Sequence, residues 1–283
     1  MSIMTRLCAL GALSALAACG SSESATRANE TLSAAGVYTP SYEDGVTTNA
    51  DVMESNVVGD GIKGHIGMSD GTVKAVRIRL SEDEGAAFIS IDGGPEEAFT
   101  TRTSGVEGDG SGRWTDGALA ELFLNLRNTD RQNRFDYENG LEGSGYFGLQ
   151  TSPDALPETL ALYFGWTRIS GDDAGASMQI VAQADFQNSS IAGYISGSFY
   201  GGFSEERMID ERTSPEFFGG LSGQISGSEV AMSADVAGAD VTGTIDMLGA
   251  FYDDADVLAG GMGATLNGET MYGDFQLRQG FDD

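Results

Sequence analysis

Positive charge is scarce in this sequence. Its 283 residues carry 15 Lys and Arg against 43 Asp and Glu, for a formal net charge of −28. Only two lysines, Lys63 and Lys74, and one histidine, His65, are present. Such a field repels phosphate backbones, so the composition predicts no nucleic-acid partner. The two cysteines, Cys8 and Cys19, both fall within the first twenty residues. The chain beyond Cys19 therefore has no disulfide, thiolate nucleophile or cysteine-ligated metal of its own. With one histidine, neither a two-histidine metal site nor a zinc-protease helix can be built. Proline is rare, at five, whereas glycine is abundant, at 41. Hydrophobic residues make up 40% of the chain, enough for a sizeable core rather than a disordered one.

Long apolar runs are also missing, with one exception at the start. Met1 to Arg6 carry a single positive charge, and Leu7 to Ala18 continue without any charge. A bilayer-spanning helix needs about 20 apolar residues, so this shorter stretch suits the h-region of a signal peptide. It ends in Leu16-Ala17-Ala18-Cys19-Gly20. That string resembles the lipobox of bacterial lipoproteins, which implies removal of residues 1–18 and acylation of Cys19. By the same resemblance, Gly20 after the cysteine implies release to the outer membrane. Residues 20–36, GSSESATRANETLSAAG, are small and polar and read as a flexible tether.

The remainder reads as all-β. From Leu160 onward, eight apolar segments are separated by Gly, Asp, Asn and Ser clusters: Leu160–Ile169, Ser177–Gln187, Ile191–Tyr200, Phe217–Ser226, Glu229–Val236, Asp240–Phe251, Val257–Leu266 and Glu269–Arg278. Alternation is clear in the second and sixth. It predicts that Met178, Ile180, Phe186, Val241, Ile245 and Phe251 point inward. Eight such strands joined by hairpins would close into a soluble antiparallel β-barrel whose side chains fill it. Before it, Thr72–Leu80, Ala86–Asp92, Leu119–Leu126, Asn133–Glu138 and Ser144–Gln150 suggest a smaller β-rich domain. A helix competes over Ala118–Leu126, where Leu119, Leu122, Phe123 and Leu126 have helical spacing. The expected organisation is a signal peptide at 1–18, a lipidated cysteine and tether at 19–36, a β-rich domain at 37–156 and the barrel at 157–283.

One phrase recurs in the barrel half. Gly197-Ser198-Phe199-Tyr200-Gly201-Gly202 leads through an acidic loop to Gly219-Gly220, and Gly249-Ala250-Phe251-Tyr252 leads through another to Gly260-Gly261. The aromatic pair suits the plugging of a barrel end, and the glycines suit a bend in the wall. Together with Ala184-Asp185-Phe186-Gln187 and Glu205-Glu206, the phrase resembles the barrel signature of transferrin-binding protein B and its relatives. The resemblance implies a single-lobe surface lipoprotein: a handle-like domain, an eight-stranded barrel and a lipid anchor, acting in binding and not as an enzyme.

For the ligand, the residues point to two acidic loops. One spans Gly202–Glu216, with Glu205, Glu206, Met208, Asp210 and Glu211 as tentative binding residues; the other spans Tyr252–Asp256. By strand count they fall at opposite barrel ends. The expected partners are the membrane, through the acyl chains, and a protein or small molecule. No cofactor or metal is expected: Glu107 to Gly112 and Asp253 to Asp256 are read as turns before cation sites. His65 is read as a surface residue, and Trp114 and Trp166 as core. A structural envelope lipoprotein and a carboxylate-based hydrolase stay open as other classes.

Overall fold

The computed structural model describes residues 60–83, 85–104, 111–116, 120–125, 132–201 and 214–280. Cys19 and the tether lie outside the described residues, as do Glu205, Glu206, Met208, Asp210 and Glu211.

The chain is all-β, in two sheets. The C-terminal sheet is a closed eight-stranded barrel in simple up-and-down order. Its strands are β10 (Leu160–Ser170), β11 (Ala174–Asp185), β12 (Ser190–Gly201), β13 (Glu216–Ser226), β14 (Glu229–Gly238), β15 (Thr242–Tyr252), β16 (Val257–Leu266) and β17 (Glu269–Gln279). Pairing of β10 with β17 closes the ring and leaves no free edge. All eight expected segments are strands. Met178, Ile180, Val241, Ile245 and Phe251 belong to the buried barrel core, and Phe186 packs against it. Alanines at 161, 174, 176, 182, 184, 234 and 264 share that interior with larger side chains. The mixture of sizes fills a lumen that, in an eight-stranded barrel, is only just wide enough for side chains.

The N-terminal sheet has nine strands in the order β4-β3-β2-β1-β9-β8-β7-β6-β5. They are β1 (Ile62–Met68), β2 (Val73–Leu80), β3 (Ala87–Ile91), β4 (Glu97–Phe99), β5 (Thr101–Ser104), β6 (Ser111–Thr115), β7 (Glu121–Asn125), β8 (Gln132–Glu138) and β9 (Glu142–Gly148). Its edge strands β4 and β5 are consecutive with only Thr100 between them, so the sheet curls almost into a ring around its own core. Both edges are very short, which limits what another strand can pair with. Within the segment Ala118–Leu126, where a helix was considered, the described residues Glu121–Asn125 form β7. Leu122 and Leu124 are both fully buried, and that two-residue period belongs to a strand. Trp114 is core, as expected, at 1% exposure. Trp166 is not: it stands 71% exposed on the outer wall of β10.

The two sheets meet along a seam. β1 lies across the outer wall of β16, and the glycines there remove the side chains that would hold the backbones apart. A Cβ placed on Gly261 would overlap the Ile66 carbonyl carbon and the Gly67 amide nitrogen. One on Gly67 would overlap the Met262 carbonyl oxygen, and one on Gly263 the Gly71 carbonyl oxygen. Of the Gly260-Gly261 pair, Gly261 thus serves close approach between sheets, a role other than the bend in the wall expected for the pair, while Gly260 faces Leu248 and Gly249 of β15. Beside the glycines, Ala250, Tyr252, Val257 and Ala259 pack with Tyr146 of β9, and Ala231 and Leu248 with Val73 and Ala75 of β2. β16 is therefore buried on both faces over Val257–Ala264, which explains its nearly unbroken apolar sequence.

Two measurements test this packing. Gly261→Val should lower stability by about 3 kcal/mol in urea unfolding, because the added atoms have no room against backbone. The two tryptophans should separate in the same assay. Trp114→Ala should cost about 3–5 kcal/mol, whereas Trp166→Ser should change stability by less than about 0.5 kcal/mol.

Candidate functional site

Polar and charged side chains gather at three places in this architecture: the barrel ends, the seam and the groove beside it. Hairpins alternate between the two ends of an up-and-down barrel. The segment between β12 and β13 therefore opens at one end, and the Tyr252–Asp256 turn at the other. This agrees with the strand count read from the sequence, which puts the ends of β12 and β13 opposite the Tyr252–Asp256 turn.

The Tyr252–Asp256 turn is a structural cap. Asp253, Asp254 and Ala255 have φ of 54°, 55° and 73°, and the turn closes with the Asp256 amide donating to the Asp253 carbonyl at 3.0 Å. Left-handed backbone at three successive non-glycine residues persists only where neighbours hold it. Here they do. The buried Ala255 amide donates to Thr151 Oγ1 at 3.0 Å, and its carbonyl accepts from the Tyr163 hydroxyl at 2.6 Å. The Thr151 amide donates to the Phe251 carbonyl at 2.8 Å, and Gln150 bridges to Tyr252. Phe251 meets Tyr163 at 5.5 Å and Phe186 at 5.0 Å, closing this end from inside. The repeated Phe-Tyr pair thus straddles the wall: Phe251 is in the lumen and Tyr252 is outside it, against the first sheet. Asp254 and Asp256 stay exposed, and no cluster of three metal-ligating side chains occurs among the described residues.

At the seam a small polar cluster is buried. His65, read from the sequence as a surface residue, is 1% exposed. The reason is the outward row of β1, Lys63, His65 and Gly67, which faces the barrel and not water. Lys63 Nζ lies 3.6 Å from Glu229 Oε1 on β14, and His65 Nε2 lies 3.9 Å from the same oxygen. Burial pushes the His65 imidazole down to about 3, with the Lys63 charge adding to the effect. Burial raises Glu229, while Lys63 pulls it back. A neutral imidazole beside a carboxylate is an acid–base pair in composition. Both groups sit under the packed seam, however, and their role there is to join β1 to β14.

The groove flanking the seam has a volume of about 470 Å³ and is lined from both sheets. Arg134 of β8 spans it, its Nε donating to Asp274 of β17 at 2.9 Å and its guanidinium pairing with Asp136 at 2.9 Å. The Tyr272 hydroxyl donates to Glu142, again barrel to sheet. Burial raises the Asp136 carboxyl above its usual range, although Arg134 opposes this. The charges in this groove are mostly spent on one another, which makes it a latch between the sheets.

The tentative binding residues Glu205, Glu206, Met208, Asp210 and Glu211 lie outside the described residues, so the structure neither assembles nor separates them. What sequence reasoning missed is the seam itself. Its signal was the run of small residues in β16 and Gly64-His65-Ile66-Gly67 in β1, a stretch not assigned to any strand.

The His65 site predicts a pH dependence. An unfolded histidine titrates near 6.5. A depressed folded value means that the contribution to stability is complete above 6.5 and is lost as pH falls toward about 3. Between pH 7 and 5 the parent should lose about 2 kcal/mol relative to His65→Gln. Urea unfolding at pH 7, 6 and 5 measures the difference; parallel curves for parent and variant would contradict it.

No protein-family model matches the chain, and no curated protein matches it in sequence. Solved structures do. The chain is similar to isotype 1 transferrin binding protein B from serogroup B Neisseria meningitidis, at 15% identity and a TM-score of 0.38, over 77% of this chain and 44% of that one. It is similar to intact Ap-TbpB, with N and C lobes, at 15% identity and a TM-score of 0.38, over 77% of this chain and 46% of the other. The chain thus spans less than half the length of these structures.

Proposed function

We propose that this chain is a lipid-anchored binding protein of the outer membrane, held through acylated Cys19, that captures a macromolecular partner on its outer surface. One observation carries the reading: the barrel lumen is filled by side chains such as Met178, Ile180, Ile195, Met232 and Phe275, all at 1% exposure or less. A filled lumen has no room for a small ligand, unlike barrels that enclose one. Capture then belongs to the loops and walls.

Of the two acidic loops, the Tyr252–Asp256 turn is committed to capping its barrel end. That leaves the segment between Gly201 and Glu216, with Glu205, Glu206, Met208, Asp210 and Glu211, as the capture loop of this proposal. Acidic side chains around an apolar residue suit a basic partner, drawn in by a field that salt screens. The β-sheet frame on either side gives the loop a fixed base.

The test has two arms. Mass spectrometry of the chain from its native envelope should find Cys19 as an acylated first residue. Replacing Glu205, Glu206, Asp210 and Glu211 with serine should weaken capture of the partner at least tenfold at low salt, with the melting temperature unchanged. An unacylated N-terminus removes the anchor from the proposal, and undiminished capture removes the loop.

A further inference from the structure

The first sheet covers the outer faces of β14, β15 and β16 and leaves apolar side chains exposed elsewhere on the barrel, among them a stacked Tyr194–Phe218 pair on β12 and β13. The longest uncovered row is on β10. Its outward row runs Leu160, Leu162, Phe164, Trp166, at 56%, 43%, 49% and 71% exposure. Four large apolar side chains in consecutive outward positions are not scattered surface residues. Their neighbours on β11 are uncharged over most of the row: Leu162 is opposite Gln183, Phe164 opposite Val181 and Trp166 opposite Gln179. In a chain of net charge −28, this strip is bare of acids along its middle.

Acids gather at both ends of the row. Glu158 precedes Leu160, and Asp185 stands opposite it across the β10–β11 pair. Past Ser170, the hairpin to β11 carries exposed Asp172 and Asp173. Two arginines flank the row: exposed Arg168 continues it beyond Trp166, and Arg278 on β17 stands beside Phe164.

From this arrangement we infer a second docking surface, independent of the capture loop: the β10 ridge seats in an apolar groove of a partner protein whose two ends carry Lys or Arg. The ridge is a convex line of Trp, Phe and Leu, and exposed Trp with neighbouring Arg is the composition that dominates interface energetics. Its acidic ends select the partner. A second copy is a poor fit, because face-to-face pairing in either direction brings acidic ends onto acidic ends. An anionic bilayer meets the same repulsion. The chain's own residues 37–59 carry Glu43, Asp44, Asp51 and Glu54 and no Lys or Arg, so they are equally mismatched.

The test places a photo-crosslinking residue on the ridge. The full chain with Trp166→p-benzoylphenylalanine is expressed in its native cells and illuminated, with the same residue at exposed Thr242 as the control. The expected result is one adduct at 166, absent at 242, with a protein of basic isoelectric point. In a background of Glu158→Gln, Asp172→Asn, Asp173→Asn and Asp185→Asn its yield should fall at least tenfold. Phe164→Asp should abolish it, and the purified parent chain should be a monomer by light scattering. All these positions lie on the surface, with Asp185 partly covered and accepting from the Asn188 amide at 3.0 Å and side chain at 2.7 Å, so melting temperatures should stay at the parental value apart from a small loss that Asp185→Asn alone measures. The near-isosteric quadruple variant decides the matter if Phe164→Asp alone fails to fold. An adduct only with a second copy, only with lipid or only within residues 1–59 overturns the inference. So does no adduct at all, or one whose yield ignores the neutralised acids.

Discussion

Everything about this molecule's surface depends on how closely β1 can approach β16. Two β-sheets normally stack about 10 Å apart, separated by their side chains. Here Gly67, Gly261 and Gly263 remove those side chains where the strands cross, so backbone meets backbone. The close crossing then lets the larger neighbours find partners: Tyr252 and Val257 reach Tyr146, and Leu248 reaches Val73 and Ala75. Burying each such large apolar side chain contributes roughly 1.5–3 kcal/mol. The Lys63–Glu229 and Arg134–Asp274 pairs sit on opposite sides of this crossing and fix its orientation. Neither is needed to explain the affinity between the sheets, since ion pairs of this kind contribute little net stability.

The seam also assigns roles to the barrel's surfaces. β14, β15 and β16 are committed to the first sheet, and the Tyr252–Asp256 end is committed to the Gln150–Thr151 segment. The lumen is committed to its own core. Among the described residues, large apolar side chains stay exposed on the β10 wall and, as a stacked Tyr194–Phe218 pair, on β12 and β13. The proposed function places contact on such exterior surfaces, with the barrel as a rigid post.

Much of the barrel was legible because its strands obey a two-residue period with one polar face, as in Met178, Ile180, Ala182 and Ala184. Where that premise fails, reading fails with it. β1 is buried on both sides, so Gly64-His65-Ile66 carries no alternation, and a lone histidine in it reads as exposed. Leu119, Leu122, Phe123 and Leu126 happen to satisfy a helical spacing, while Leu122 and Leu124 satisfy a strand; only pairing with β6 and β8 decides. Trp166 was misplaced for a statistical reason, since large aromatics are usually buried, and the outward row of β10 departs from that habit. The Gly260-Gly261 pair was seen, but the strand that crosses at Gly261 was not, so close approach looked like a bend. The acidic loop bearing Glu205 and Asp210 was legible as a candidate by composition alone, and it lies outside the described residues.

The central claim is that the first sheet covers the β14–β16 wall of the barrel and leaves the β10 wall bare. Collisional quenching of tryptophan fluorescence by acrylamide, which is uncharged, in the isolated full chain tests it most directly, because Trp114 and Trp166 are the only tryptophans. The account predicts two populations: Trp166 quenched nearly like a free indole side chain, and Trp114 far less until the protein unfolds. If both tryptophans in the folded chain were shielded from acrylamide, the β10 wall would already be covered and the account would be wrong.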